Sequence, residues 1–408
     1  MHRVVVTGMA GISPIGSDWS TIEDNLRSLR TGIKYMSEWE MYPDLSTRLG
    51  APVTDFQKPA HYSRKQTRSM GRVALMSVVA TENALKQANL LDNPNLRDGR
   101  LGVSYGSSTG STDAIADFGN MLLNHASSKI NANSYLKMMS HTAAVNIDVF
   151  FGLKGRVIPT SSACTSGSQG IGYAYEAIKY GHQKLMVAGG GEELCATEAA
   201  VFDTLYATST RNDQPRTSPR PFDKNRDGLV IGEGACVLIL EEREHALARG
   251  AKILAEIVGF GTNSDGSHVT QPQSETMYKA METALMASGL NPEDIGYVSA
   301  HGTATDRGDI AETQATSRLL GHNVPISALK SFTGHTLGAC GALESMVAIE
   351  MMNNDWFHAT ANLDDLDPDC EGLDHITGRG RNMHVNYVMS NNFAFGGINT
   401  SLIFARVK

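Results

Sequence analysis

Four separated segments of this 408-residue sequence pair reactive or gating side chains with small residues that let them reach a substrate. In the first, VIPTSSACTSGSQGIGYAYEAIKYG, a β-branched run gives way to small polar residues, then Cys164, then a helix-length stretch. Cys164 is therefore expected at a strand-to-helix turn, where unpaired backbone N–H groups and the helix dipole favour a thiolate. A free thiol titrates near roughly 8.5, so such a turn raises its reactive fraction at neutral pH. Ser162, Ala163 and Ser166 leave room for a carbonyl. A buried, inert cysteine accounts for this segment alone equally well.

In the second segment, YVSAHGTATDRGDIAETQA, an apolar strand ends at His301, a Gly/Thr loop follows, and Asp309 could cap the next helix. Glu312, one turn into that helix, could face the same site and pair with a cation. The third, PISALKSFTGHTLGACGALES, has a strand ending at Lys330 and a loop delivering His335 before a helix of small residues. A lone histidine is more often structural, and Lys330 alone could be a surface lysine. A second strand-end histidine makes coincidence harder to sustain. In the fourth, YVMSNNFAFGGINTSLIF, Phe393 and Phe395 flank Ala394 ahead of Gly396 and Gly397. The aromatic rings could gate an apolar tunnel, the glycines permitting movement, and hairpin packing is the plainer alternative.

Positioning these side chains requires alternating strands and helices. Strand patterns cover 3–7, 102–105, 157–159, 184–188, 235–240, 253–259, 297–300, 325–328, 385–390 and 401–406, and helical ones 63–87, 166–180, 274–288, 309–320 and 340–352. This is an α/β pattern with buried sheets. A join is expected near 241–252, where a strand ends and EEREHALARGAK leads into a new one. The chain then divides into two similar halves packed face to face, residues 1–250 carrying the cysteine and 251–408 the histidines. The glycines of VVVTGMAGISPIG are not spaced as G-x-G-x-x-G, so Gly8, Gly11 and Gly16 are read as a structural turn rather than a cofactor site.

Composition narrows the function classes. Hydrophobic residues make up 41% and charged residues 19%, as in a folded soluble protein. The net charge of -8 gives no general attraction to nucleic acid. Five cysteines with no CxxC pair argue against a disulfide framework or a zinc site and for a reducing compartment. The N-terminus has no signal-peptide pattern and no apolar run is long enough to span a membrane, so a cytoplasmic location is expected.

Together the four segments resemble β-ketoacyl-[acyl carrier protein] synthases of the kind that act in bacterial fatty-acid elongation. SSACTSG is similar to the family's nucleophile loop, AHGTAT to its first histidine motif, LKSFTGHTLGA to its lysine–histidine motif and NNFAFGG to its gate. VAGGGEELCATEA is closest to the synthase I branch, RPFDKNRDGLVIGEGACVLILEE also looks like family sequence, and the resemblance runs from Arg3 to the C-terminus. It implies a thiolase-like fold, five-layered αβαβα with two related halves, normally a homodimer, and no cofactor or metal. It implies that Cys164 accepts an acyl chain and that the N–H groups of Cys164 and Phe395 form an oxyanion hole. His301 and His335 would assist decarboxylation of malonyl carrier protein, supported by a Lys330–Glu312 ion pair. Thr303 and Thr305 would hold the phosphopantetheine arm, Phe393 would gate the substrate tunnel, and Thr109 would face the acyl pocket. Ala394 stands where the family often has glycine, and TATDRGD lacks the usual proline.

The stretch from Phe56 to Thr81 has no acidic residue but carries Lys58, Arg64, Lys65, Arg68 and Arg72. On one helix, 64, 68 and 72 share a face. Such a face suits an acidic partner, as carrier proteins are, and Lys65 and Arg68 match the family's docking positions; a solvated helix face is the alternative. Two other functions remain in view: a ketosynthase of a polyketide or aryl-polyene pathway, and a non-catalytic chain-length-factor subunit. The presence of Cys164, His301 and His335 together counts against the second, and a heterodimer with a related subunit stays open. A thiolase using coenzyme A lacks its second cysteine here.

Overall fold

The computed structural model describes residues 1–407, with the backbone alone for Pro94 and Asn95. Aliphatic runs form strands β1 (Val4–Ile12), β2 (Leu101–Gly106), β3 (Val157–Pro159), β4 (Leu185–Glu192) and β5 (Gly234–Glu242). A second set follows: β6 (Ala255–Ser264), β7 (Tyr297–Ser299), β8 (Pro325–Ser327), β9 (Tyr387–Phe393) and β10 (Ile398–Ala405). The first set lies in the order β3-β2-β4-β5-β1 and the second in the order β6-β10-β9-β7-β8. β2 runs parallel to β3 and β4, while β5 is antiparallel to β4 and β1. Likewise β7 runs parallel to β8 and β9, while β10 is antiparallel to β9 and β6. The two sets are one plan used twice, and they meet where Val4–Val6 pairs with Ala255–Ile257.

Helices α1 (Arg72–Gln87), α2 (Ser166–Lys179), α3 (Ser274–Ser288), α4 (Asp306–Leu320) and α5 (Cys340–Asn354) cover these sheets. α1 packs on β1 and β5, and α3 on β6 and β10. α2 and α5 pack on each other between the sheets, against β4 and β9 respectively. The layers are therefore αβαβα. Position explains composition: β4 and β5 are buried along their whole length, and α5 is buried nearly all round, as a central layer demands.

Two local expectations change. Gly8 and Gly11 lie inside β1 rather than in a turn. A Cβ on Gly8 would come within 2.4 Å of the Ala84 carbonyl oxygen on α1, so glycine there permits close strand–helix approach. The turn begins later, where Ser13 and Gly16 exchange backbone hydrogen bonds of 3.0 and 3.1 Å. The basic stretch is also not one helix. Arg64–Thr67 forms a single turn closed by a Ser63–Gln66 capping box, and α1 starts afresh after Gly71. A Cβ on Gly71 would meet Ser111 Oγ at 2.3 Å, which holds glycine at this break. Among the described residues, no helix is long and apolar enough to cross a membrane.

Candidate active site

Two turns, one from each half, face each other. After β3 the chain makes a tight 3-10 turn at Ala163–Thr165 and enters α2 at Ser166. Ala163 adopts φ +50°, a strained value for a residue with a Cβ. Ser166 Oγ holds it there by donating to the Ala163 carbonyl at 2.7 Å. After β8 the chain passes Lys330–Thr333, then His335, makes a 3-10 turn at Leu337–Ala339 and enters α5 at Cys340. Leu337 repeats the strain at φ +46°.

Cys164 is only 3% exposed. Burial pushes its thiol up; the Phe395 N–H, the Lys330 charge and its own N–H pull the other way without prevailing. The expected thiolate is therefore not the resting form, because a buried turn withholds the water that stabilises the anion.

The histidines supply what the sulfur needs. His335 Nε2 lies 3.0 Å from Cys164 Sγ, and the Leu337 N–H donates to His335 Nδ1 at 3.2 Å. Since Nδ1 accepts, the proton sits on Nε2 and is donated to sulfur. His301 Nδ1 faces Lys330 Nζ at 3.0 Å, and an ammonium can only donate, so His301 also carries its proton on Nε2. Burial, then the Lys330 charge, pushes both histidines well below the usual range, so both are neutral at neutral pH. Their rings stand 5.2 Å apart at 86°.

Lys330 is 1% exposed and is not a surface lysine. It donates to the His301 carbonyl at 2.7 Å and to Glu344 Oε1 at 2.5 Å. Burial opposes the ammonium, but the hydrogen-bonded Glu344 carboxylate outweighs it and holds Lys330 charged. The expected Lys330–Glu312 pair is thus corrected to Lys330–Glu344. Glu312 instead accepts the N–H groups of His301 and Gly302 at 2.7 and 2.8 Å, because α4 aims it at the end of β7. Burial lifts it to about 8. Asp309 is not the helix cap either; Thr305 stands there, and Asp309 accepts from Phe222 and Ala304 at 2.8 and 3.1 Å.

Three participants escaped sequence reasoning. Glu344 and Asn392 pair at 2.6 Å behind His301. Cys340 donates its S–H to the Cys164 carbonyl at 3.2 Å, and burial keeps it a thiol. Glu344 lies in the GALES segment, and only its place among small residues at the start of a buried helix could have signalled it.

A cavity of about 590 Å³ opens onto Cys164, His301, His335, Thr303, Thr305 and Phe395. The two threonine hydroxyls lie 2.9 Å apart, and Phe393, also on the wall, sets its ring 6.0 Å from His301. Thr109 is not brought to this wall; its hydroxyl lies 3.0 Å from Glu198 and 3.2 Å from Glu192. Ligand atoms of Cys164, His301 and His335 fall within 4.8 Å of one another. The tautomers, however, point N–H groups rather than lone pairs inward, which suits an anion better than a metal ion. Arg64, Lys65 and Arg68 are exposed, and no acidic partner holds them among the described residues. Arg72 leaves that face: it makes a two-pronged pair with Glu233 at 2.7 and 2.8 Å and donates to the Val53 carbonyl.

Comparison with known proteins decides the family. Residues 1–246 match "Beta-ketoacyl synthase, N-terminal domain" and residues 254–364 match "Beta-ketoacyl synthase, C-terminal domain". The chain belongs to the β-ketoacyl synthase family. As such it is a transferase that forms 3-oxoacyl products by condensation, on a thiolase-like fold. The whole chain is 38% identical over 416 residues to 99% of the 3-oxoacyl-[acyl-carrier-protein] synthase 2 of Vibrio cholerae serotype O1. It superposes along its full length on all of a β-ketoacyl synthase crystal structure from Burkholderia phymatum STM815, with TM-score 0.99 and 57% identity. A type II PKS ketosynthase, solved with its acyl-carrier protein and bound to the hexaketide, is 29% identical with TM-score 0.88 and full coverage of both chains.

Proposed function

We propose that this chain joins an acyl group held on Cys164 to a malonyl unit, both delivered on acyl carrier protein, in the elongation of fatty-acid or fatty-acid-like chains. The observation that carries this reading is the His335 Nε2–H donated to Cys164 Sγ at 3.0 Å, with His301 beside it. Cys164 attacks the incoming thioester, its proton passing to the departing pantetheine sulfur. The N–H groups of Cys164 and Phe395, both of which favour the anionic sulfur, receive the oxyanion, each such donor being worth about 3 kcal/mol. Malonyl thioester then enters past Thr303 and Thr305. Its carboxylate leaves as carbon dioxide, and the enolate oxygen is held by the two Nε2–H groups. The enolate carbon attacks the acyl carbonyl, the bond to Cys164 sulfur breaks, the sulfur takes a proton from solvent to return to the thiol, and the 3-oxoacyl carrier protein departs. Lys330 and Glu344 orient His301 and do not react.

Exposed Arg64, Lys65 and Arg68 would meet the acidic carrier protein. The free edge of β3 supports a homodimer, in which a second copy extends the sheet. The division into halves at 250/251 is supported by the repeated strand order. Five unpaired cysteines support a reducing, cytoplasmic setting. Intact Cys164, His301 and His335 oppose the chain-length-factor reading.

The test is to incubate the protein with acyl- and malonyl-carrier protein and follow the products by mass spectrometry. The expected result is an acyl adduct on Cys164 that converts to 3-oxoacyl carrier protein. An adduct on Cys195 or Cys340 would sink the assignment.

A further inference from the structure

Behind Cys164 lies a carboxyl group that the condensation mechanism does not use. Glu198 sits in the helix Ala196–Asp203, 5% exposed, and its Oε2 is buried with no hydrogen-bond partner. Burial, then the neighbouring Glu192, pushes it well above the usual carboxylate range, so it is a neutral acid. An unpaired buried acceptor is costly, and a ligand group that satisfies it regains that cost.

Its surroundings tie it to the acyl side of the reaction. Phe202, one turn further along the same helix, lines the cavity and sets its ring edge-on to Phe395 at 5.6 Å. Ala199, Ala200 and Leu337 pack with Cys164 in one apolar cluster, so a chain on the sulfur that turns away from Thr303 and Thr305 enters the neighbourhood of Glu198. Polar contacts make the same connection from the other side. Thr109 Oγ1 bridges Glu198 Oε1 at 3.0 Å and Glu192 Oε1 at 3.2 Å. Glu192 accepts from Ser107 Oγ, the Ser108 N–H and the Gly338 N–H, and Gly338 follows the Leu337 whose N–H fixes the His335 tautomer. Glu192 already has donors enough to remain an acceptor, so Thr109 donates to it and accepts the Glu198 proton. That leaves Glu198 Oε2 as an open carbonyl-type acceptor beside the apolar cluster that holds Cys164.

We propose that Glu198, oriented by Thr109, selects acyl groups that carry a hydroxyl, whose O–H donates to Glu198 Oε2, over plain hydrocarbon chains. This rests on Cys164 being the acyl acceptor, as proposed above. A site built to bond a hydroxyl rejects the analogue that lacks it, because the polar group of the site is then left unpaired; an apolar pocket discriminates far less in the opposite sense.

The experiment measures acylation of Cys164 by mass spectrometry from matched small thioesters that differ by one hydroxyl. One arm uses aliphatic pairs of graded length and the other uses benzoyl against hydroxybenzoyl. In the wild type the hydroxylated member of at least one pair loads about tenfold faster or more. The arm that shows it identifies the substrate as hydroxyalkyl or hydroxyaryl. Glu198→Leu abolishes or reverses the preference, while Glu198→Gln, which keeps an acceptor oxygen, retains it. Equal or faster loading of the hydrocarbon member in every pair overturns the proposal, as does a hydroxyl preference that survives Glu198→Leu. Failure of every thioester to load Cys164 would instead remove the acyl-transfer reading on which the proposal stands.

Discussion

The turn before α2 and the turn before α5 close with the same backbone geometry and carry opposite chemistry. Each follows a short parallel strand, each strains one residue into positive φ, and each enters a central helix through a 3-10 turn. The first presents a neutral thiol among serines and alanines. The second is wired to charge, through Lys330, Glu344 and the His301 strand end. The difference teaches how a repeated fold divides labour. One copy holds the group that changes covalently, and the other holds the donors that answer the charge it develops.

The largest test of this division removes the nucleophile. Cys164→Ala should lower condensation by about ten thousandfold or more, while Cys340→Ala, whose thiol bonds the Cys164 carbonyl and accepts from Asn392, should stay within about tenfold in the same product assay. The histidines come next. His335→Ala should slow both acyl loading and malonyl decarboxylation, since its N–H touches the sulfur. His301→Ala should slow decarboxylation about a hundred- to a thousandfold and spare loading. Equal effects of both variants on both half-reactions would erase the distinction between the two rings.

Breaking the buried pair tests the wiring. Glu344→Ala leaves the Lys330 ammonium unpaired and should cost about 3–5 kcal/mol in urea unfolding. Glu312 offers a pH-dependent counterpart. Its folded pKa of about 8 lies above the ordinary carboxylate value of 4.5, so the folded state binds its proton more tightly. Its contribution is complete below pH 4.5 and is lost as pH rises through about 8. Stability should therefore fall over that window more steeply in the wild type than in Glu312→Gln.

The smallest effect is expected at the surface. Reversing Lys65 and Arg68 to Glu should reduce kcat/KM for carrier-protein substrates by about tenfold at low salt, less at high salt, and hardly at all for a small thioester mimic. Arg72→Ala, by contrast, should show as lost stability, because Glu233 would lose its cation.

Much of this was legible in the residues. Strands such as Val157–Pro159 and helices such as Ser274–Ser288 stand where β-branched runs and amphipathic spacing place them. Cys164, His301 and His335 were legible because each stands between a strand and a helix beside small residues. The partner of Lys330 was not. Glu312 and Glu344 lie comparably near it in sequence, and only the aim of α4 against α5 decides between them. The break at Gly71 was likewise hidden, since it depends on Ser111, far along the chain. Nothing in the sequence marked Glu198, because its burial comes from neighbours on other strands and loops.

The most direct test of the donor–nucleophile division is nitrogen-15 NMR of the imidazoles in the resting enzyme at neutral pH, assigned with the His301→Ala and His335→Ala variants. Both rings should be neutral and protonated on Nε2, His335 sensing replacement of Cys164 by Ala. An imidazolium at His335, paired with a Cys164 thiolate, would contradict the account.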